Sequence, residues 1–205
     1  MSLPFVLASQ SPARLATLRS AGLDPHVVVS GVDESRLVGL PPVELALQLA
    51  ELKCAAVAVR GDLPGDGLVL GCDSVLELDG DALGKPGDAD EAVRRWQAMR
   101  GRSGVLHTGH SLRDLATGAV AAATASTTVH FADVTDAEVA AYVATGEPLH
   151  VAGAFTVDGL GGAFVTGIEG DHHNVVGVSL PLLRDLVREL GHAWPSLWAT
   201  PPDQG

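Results

Sequence analysis

Two segments rich in Thr, Val and Ala, residues 105–115 and 119–131, flank the short turn Ala116-Thr117-Gly118. This pattern predicts a long β-hairpin, whose two strands are antiparallel. Upstream of the hairpin, strand-like apolar runs alternate with helix-like segments, which is typical of parallel β-α units. The chain is therefore predicted to be an α/β protein with a mixed sheet and flanking helices, because a purely parallel sheet has no place for the hairpin.

Apolar periodicity places the remaining elements. Strands are predicted at residues 3–8, 26–30 and 68–72, and the segment 151–170 is predicted to be irregular with short strands. Helices are predicted at residues 12–22, 41–60, 89–100, 133–144 and 179–190. Residues 1–191 then form a single domain, and residues 192–205 are predicted to be a flexible C-terminal tail.

Composition excludes several classes of protein. The chain has 205 residues, 46% of them apolar, and a formal net charge of −12, so it is neither a disordered chain nor a binder of nucleic acid polymers or anionic membranes. We expect no signal peptide and no transmembrane helix, because a basic leader and a long apolar run are both missing. Cys54 and Cys72 are then expected to be buried reduced thiols in a cytoplasmic protein.

Lysine is scarce in this chain: of the 13 basic residues only Lys53 and Lys85 are lysines. Asn174 is the single asparagine. Lys53 lies at the margin of the apolar face of the helix predicted over 41–60. It either extends outward along the helix or points into a polar cavity beside the core, and helix position alone favours the first.

Asp73 follows the buried run 68–72 directly. Ligands of α/β proteins bind at the carboxyl ends of strands, so Asp73 is either a general base or magnesium ligand, or a turn residue that caps the strand end with Ser74. The hydroxyl-rich loop Ser9-Gln10-Ser11 precedes a helix and is either a site for an anion or an ordinary helix cap.

Three further groups have weaker signals. Asp33-Glu34 by itself is more typical of a solvated turn than of a functional site. Glu147 is more typical of a helix exit than of a catalytic acid. His172-His173 is interpreted as a surface pair rather than a metal-ligand pair, because adjacent side chains on an extended segment point to opposite faces. Together these features favour phosphate chemistry: a hydroxyl loop at a helix start, Arg14, two isolated lysines and a carboxylate at a strand end. The chain has no GxxxxGK[ST] segment, so this chemistry would not use a P-loop.

The order of the short motifs resembles the Maf family of nucleoside triphosphate pyrophosphatases over residues 3–190. The segments that carry this resemblance are LASQSPARLATL, VDES, LAELKCAA, GCDSVLELDGDALGKP, TTVHF, YVATGEPLHVAGAF and GDHHNVVGVSLPLL. The resemblance implies an elongated two-lobed fold with a central cleft, similar to the inosine triphosphate pyrophosphatase type. It also implies hydrolysis of a nucleoside triphosphate to a monophosphate and pyrophosphate, a divalent cation (Mg²⁺ or Mn²⁺) and a homodimer.

By this resemblance Asp73 is the catalytic carboxylate and a metal ligand. Each remaining site residue falls in a family motif with a substrate-binding role; these are Ser9, Arg14, Glu34, Lys53, Lys85 and Asp158. The resemblance thus reverses the outward orientation that helix position favours for Lys53.

Two positions depart from the family pattern. Ala13 stands where the family usually has an arginine, and Asp158 stands where it often has a glutamine. The preferred base therefore stays open among thymine or uracil, methylated guanine and a broad range. The alternative function is a nucleotide-binding regulator of cell division with little catalysis; a structural domain without a pocket is a third.

Overall fold

A computed structural model describes residues 2–34, 37 and 39–199. Its strands are β1 Phe5–Leu7, β2 His26–Val27, β3 Leu68–Leu78, β4 Asp81–Leu83, β5 Ser103–Asp114, β6 Val120–Phe131 and β7 Val165–Glu169. Within the described residues they form one seven-stranded sheet in the order β2-β1-β3-β5-β6-β7, and β4 pairs with β3 beside this path. β1 is parallel to both of its neighbours and all other pairs are antiparallel, so the predicted mixed α/β sheet is confirmed.

Helices cover the sheet, and several begin at side-chain caps. The helices are α1 Pro12–Ser20, α2 Pro42–Ala58, α3 Ala89–Met99, α4 Asp136–Ala144, α5 His172–Val176 and α6 Leu180–Glu189. Short 3₁₀ segments occur at Glu147–His150, Ala152–Ala154, Leu160–Phe164 and Trp194–Leu197. Ser11, Asp88 and Ser179 each accept a hydrogen bond from a backbone N–H in the first turn of the helix that follows, which fixes where α1, α3 and α6 start.

β3 differs from its prediction in a way that matters for the site. The strand does not end at Cys72 but continues through Asp73 to Leu78, because β5 pairs with it along this whole length. β1 pairs only with residues 68–70 of β3, and β4 only with residues 76–78. Among the described residues, one edge of β3 therefore has no strand partner around Asp73, at the point where parallel β1 has ended.

The core has three hydrophobic clusters. One lies between the sheet and α2 and contains Val69 and Val57. The other two share the opposite face of the sheet: one is packed by α1 and α6, and the other surrounds Trp96 of α3. Ser74 and Thr108 lie between these two clusters on neighbouring strands, and their hydroxyl groups are hydrogen-bonded at 2.9 Å. A polar strip thus separates two apolar lobes.

The predicted tail is partly wrong. Residues 194–197 form a 3₁₀ turn, and Leu197 is buried in the cluster beneath α6. The Leu3 N–H donates to the Ser196 carbonyl, which ties this segment to the start of β1. The prediction rested on position at the chain end, and burial of an apolar residue overrides it for residues 194–197, while residues 200–205 lie outside the described residues. In the part of the chain that the structure describes, no helix has the length and apolarity needed to cross a membrane.

Close packing of α2 on the sheet depends on glycine at two strand positions. A Cβ atom at Gly109 would overlap the Ala46 carbonyl, and one at Gly71 would overlap the Ala50 carbonyl. Gly109→Ala should lower the free energy of unfolding by about 1–3 kcal/mol, because α2 must move away from the sheet. Urea unfolding measures the change, and Gly61→Ala, whose Cβ meets open space, is the control. Equal stability of the two variants would contradict this packing.

Candidate active site

A cleft of about 800 Å³ opens beside the unpartnered edge of β3. The loop after β1, the start of α1, the middle of α2 and the segment between α4 and β7 contribute to its wall. This volume is in the range of pockets that bind small molecules and cofactors. All seven site residues predicted from the sequence line this one cleft: Ser9, Arg14, Glu34, Lys53, Asp73, Lys85 and Asp158.

Lys53 joins two carboxylates at the floor of the cleft. Its Nζ atom lies 2.7 Å from Glu34 Oε1 and forms a short ion pair with Asp73. The side chains of Lys53 and Asp73 are each 13% exposed, whereas that of Glu34 is 55% exposed. Lys53 therefore points into the polar cavity, and the outward orientation favoured by helix position alone is wrong. Inward orientation requires a carboxylate from the neighbouring strand, which helix periodicity does not reveal.

Asp73 has an environment suited to proton transfer. Burial raises the pKa of its carboxyl, and the nearby charges of Lys53 and Arg14 oppose that rise. A carboxylate with a raised pKa is a stronger base than an exposed one, and its cationic neighbours stabilise the ionised form. The same carboxylate can accept a proton or bind a hard divalent cation.

Arg14 is a buried cation held by neutral groups. It is 8% exposed, and in the described residues no carboxylate lies within ion-pair distance of it. Its hydrogen bonds reach Gly177 O at 2.7 Å, Cys72 O at 3.0 Å, Ser9 Oγ at 3.2 Å and Ser74 Oγ at 2.9 Å. These acceptors fix the guanidinium without cancelling its charge, so Arg14 presents a positive charge to any anion in the cleft.

Behind Arg14 lies a chain of hydroxyl groups that sequence reasoning missed. The Thr108 hydroxyl donates to the Asn174 carbonyl at 3.1 Å, so it accepts from Ser74, whose oxygen in turn accepts from Arg14. Asn174 is fully buried, and its amide donates to Leu106 O, Ala125 O and Thr127 Oγ1. The single asparagine thus anchors α5 to the sheet. In the sequence, the only feature that drew attention to Asn174 was that it is the single asparagine.

Lys85 and Asp158 occupy the outer wall of the cleft. Both are exposed, and neither forms an ion pair with a described residue. Ala13 also lines the cleft, so the arginine that the family pattern has at this position is missing from the wall. The catalytic and binding roles of the seven residues stay predictions; the structure shows their convergence.

Glu147 organises the segment that carries Asp158. Its Oε1 accepts from the Tyr142 hydroxyl at 2.9 Å and from Gly161 N at 3.0 Å, and its Oε2 accepts from Leu160 N at 3.0 Å. The hydroxyl of Thr156, which itself lines the cleft, donates to it as well. The interpretation of Glu147 as a helix exit therefore missed that its carboxylate holds this loop through several hydrogen bonds. We call this arrangement the Glu147 clamp. Loop donors far along the chain give no local sequence signal.

The fold and the cleft define an α/β protein with a polar, cation-bearing cleft at the edge of a mixed sheet. The chain belongs to the Maf family, because the family model described as "Maf-like protein" matches residues 4–190. This confirms the resemblance found in the sequence motifs.

Similar proteins span nearly the same length. A protein of Streptomyces avermitilis named nucleoside triphosphate pyrophosphatase is 61% identical over 194 residues, covering 95% of this chain and 94% of that protein. A Streptomyces coelicolor protein of the same name is 61% identical over 199 residues, covering 97% and 96%. One from Gloeothece citriformis, also so named, is 48% identical and covers 97% and 100%.

The Glu147 clamp predicts an acid-dependent contribution to stability. Burial would raise the pKa of Glu147, but its hydrogen bonds outweigh burial and hold the pKa at about 2. Because the folded pKa lies below the unfolded value of about 4.3, ionised Glu147 stabilises the fold above that pH. The stabilisation disappears as pH falls from about 4.3 toward 2.

Glu147→Gln should therefore lower the unfolding temperature most at neutral pH, and the difference from the unsubstituted chain should narrow on acidification. Thermal unfolding at pH 7, 4 and 3 measures it. Glu51→Gln, at an exposed position on α2, is the control. A difference that stays constant with pH would show that the charge of Glu147 has no such role.

Proposed function

We propose that this chain hydrolyses nucleoside triphosphates to nucleoside monophosphates and pyrophosphate. The observation that carries the proposal is the meeting of the Asp73–Lys53–Glu34 cluster with uncompensated Arg14 in one cleft. Membership of the Maf family and relatives named nucleoside triphosphate pyrophosphatase support the same reaction.

The triphosphate would bind where the cleft offers fixed donors. Four of the five N–H groups of Arg14 donate to acceptors of the protein in the described residues. The fifth N–H is left for a ligand, and the other four hydrogen bonds fix its direction. Lys85 adds a cation on the outer wall, where a flexible side chain can follow the phosphates. Positioning by such groups supplies much of the catalysis in phosphoryl transfer, because it aligns the water with the phosphorus.

Asp73 would act as the general base. Its carboxylate removes a proton from a water molecule as the water oxygen bonds to the α-phosphorus, and the bond from that phosphorus to the bridging oxygen breaks. Pyrophosphate leaves with the electron pair of that bond. Lys53 and Arg14 stabilise the negative charge that builds on the phosphate oxygens, and each such contact contributes about 3 kcal/mol when aimed at the transition state.

A divalent cation is part of the proposal. The described lining residues include three cations and three carboxylates, so a bound triphosphate would lack charge compensation. Asp73 and Glu34 contact the same ammonium and thus present convergent carboxylate oxygens, the ligand type that Mg²⁺ and Mn²⁺ prefer. A cation held by these carboxylates would neutralise phosphate charge and polarise a phosphoryl oxygen.

Asp73→Asn tests the assigned base with almost no change in shape. The amide cannot accept the proton, so kcat should fall by a factor of about 100 or more. Pyrophosphate release from a panel of triphosphates, with Mg²⁺ or Mn²⁺, measures turnover, and calorimetry measures nucleotide affinity. Nucleotide binding should persist because Arg14 and Lys85 are untouched.

Asp66→Asn, at an exposed position before β3, is the matched control and should keep full turnover. Near-normal turnover by the Asp73 variant would refute the role of this carboxylate. Stoichiometric binding without product by the unsubstituted chain would instead support the alternative of a nucleotide-binding regulator.

Asp158 is proposed to influence base preference. An ionised carboxylate only accepts hydrogen bonds, so it favours a base edge with adjacent donors, such as N1–H and the amino group of guanine. Thymine and uracil present one donor between two carbonyl acceptors and suit a glutamine better. Asp158→Gln should therefore raise kcat/KM for thymidine or uridine triphosphate relative to guanosine triphosphate. An unchanged ratio across the panel would exclude a role in reading the base.

Two proposals concern the setting of the enzyme. A homodimer is proposed from the family resemblance, and analytical ultracentrifugation tests it. A cytoplasmic location is proposed because Cys54 and Cys72 are both free and buried, and burial raises the pKa of the Cys72 thiol to about 12. Two unpaired thiols are typical of a reducing compartment.

A further inference from the structure

Lys85 lies in the short loop between β4 and α3, and no described side chain orients its ammonium. It is exposed and forms no ion pair with a described residue. A lysine side chain is long and flexible, so the backbone that carries it determines where the ammonium can reach into the cleft. The contacts that fix this loop therefore bear on the binding role proposed for Lys85.

The peptide group that joins Gly84 to Lys85 is held by two donors from other elements. The Gly84 carbonyl accepts from Arg95 Nη1 of α3 and, at 3.1 Å, from the backbone N–H of Gly153. This carbonyl and the N–H of Lys85 belong to one planar unit, so a donor on the carbonyl also fixes the direction in which the chain enters Lys85. At the other end of the loop, Asp88 caps α3.

Arg95 is itself held firmly. Its side chain is 13% exposed, and its Nε donates at 2.7 Å to Glu91 Oε1, one turn earlier on α3. The next residue, Trp96, is fully buried, and its indole N–H donates to Ala154 O at 2.8 Å. α3 is thus attached to the core, although none of its residues lines the part of the cleft that the structure describes. Arg95 therefore acts on a ligand in the cleft through Gly84, which does line it.

We propose that Arg95 is a positioning residue for Lys85. A charged donor makes a stronger hydrogen bond than a neutral one, and Glu91 directs the planar guanidinium at the Gly84 carbonyl. The loop then presents the Lys85 ammonium to the phosphates without first having to be ordered by the ligand. This inference rests on the proposed function, from which it takes a nucleoside triphosphate as the ligand.

The neighbouring Arg94 separates the effect of this contact from the effect of charge. Arg94 and Arg95 lie on the same helix and both form ion pairs with Glu91. Arg94 is 64% exposed, and its side-chain hydrogen bonds in the described residues go to Glu91 and not to Gly84. The two arginines therefore differ in the contact with the loop, and Arg94→Met is the matched control.

The scarcity of lysine makes the loop directly observable. A chain labelled with nitrogen-15 in lysine alone has two backbone amide signals, from Lys53 and Lys85, and Lys85→Met assigns them. Arg95→Met keeps a long, helix-compatible side chain and removes the donor. It should shift the Lys85 signal and lower its heteronuclear NOE, because the peptide group loses one of its two donors. The Lys53 signal should not move, and Arg94→Met should move neither signal.

Nucleotide affinity tests the consequence for the ligand. The probes are guanosine and thymidine triphosphates with a methylene group in place of the oxygen between the α- and β-phosphorus atoms, which blocks hydrolysis there. In calorimetry with Mg²⁺, Arg95→Met should weaken binding by a factor of about five and Arg94→Met should not change it. In the Lys85→Met chain, Arg95→Met should have little further effect, because the lysine that it positions is already missing.

Circular dichroism checks that each variant is folded, and Arg95→Lys replaces Arg95→Met if the latter is not. Lysine keeps the charge but not the planar fork that joins Glu91 to Gly84, so it should also shift the Lys85 signal and weaken binding. An unmoved Lys85 signal, unchanged affinity, or equal weakening with and without Lys85 would overturn the positioning role.

The proposed hydrolysis fails by a different result. If the unsubstituted chain binds the probes but releases no pyrophosphate from ordinary triphosphates, the hydrolysis proposal is wrong, and the affinities still decide the role of Arg95. If the unsubstituted chain binds neither probe, both proposals are wrong.

Discussion

The arrangement of the cleft depends on a buried guanidinium in a gap of the sheet. Between the end of β1 and the start of β4, no strand in the described part of the chain pairs with the edge of β3, and Arg14 donates to the Cys72 carbonyl there. A buried charge is costly unless it is well hydrogen-bonded, and here every described acceptor is neutral. The fold thus maintains a positive charge that an anionic ligand can compensate, and the loop before α1, the residue that follows α5 and strand β3 supply the acceptors that keep it in place.

Lys53 is in the opposite electrostatic situation. Asp73 and Glu34 already neutralise its ammonium, so its first effect is to hold two carboxylates together beside the cleft. A ligand that draws on Lys53 must compete with those carboxylates, whereas a ligand of Arg14 competes with no charge. The two cations nearest β3 therefore differ in what they offer a ligand: Arg14 has no carboxylate partner among the described residues, whereas Lys53 is shared with the carboxylate proposed as the base.

Local sequence periodicity predicted the helices and strands well. It predicted poorly which side chains contact residues that are distant in the sequence. The hairpin, α2 and α3 follow from periodicity, and their bounds agree with the structure to within a few residues. Helix periodicity misplaced Lys53 because its orientation depends on Asp73, twenty positions away. Asn174 and Glu147 gave no local signal, since their partners come from distant strands and loops. Family motifs located all seven cleft residues, which no single segment could have done.

The acidity of the chain and its cleft act over different distances. A net charge of −12 repels polyanions at long range, but salt screens that field within about 10 Å, and a ligand in the cleft responds to the groups that it contacts. Ala13 removes one of those contacts, so the described lining has equal numbers of cations and carboxylates. Under the proposed reaction, charge compensation would then come from the divalent cation to a larger extent than it would with the arginine of the family pattern at this position. Under that reaction Asp73 would serve two demands, proton transfer and metal binding, and the charge of Lys53, which opposes the rise in the pKa of Asp73, would favour the ionised form for both.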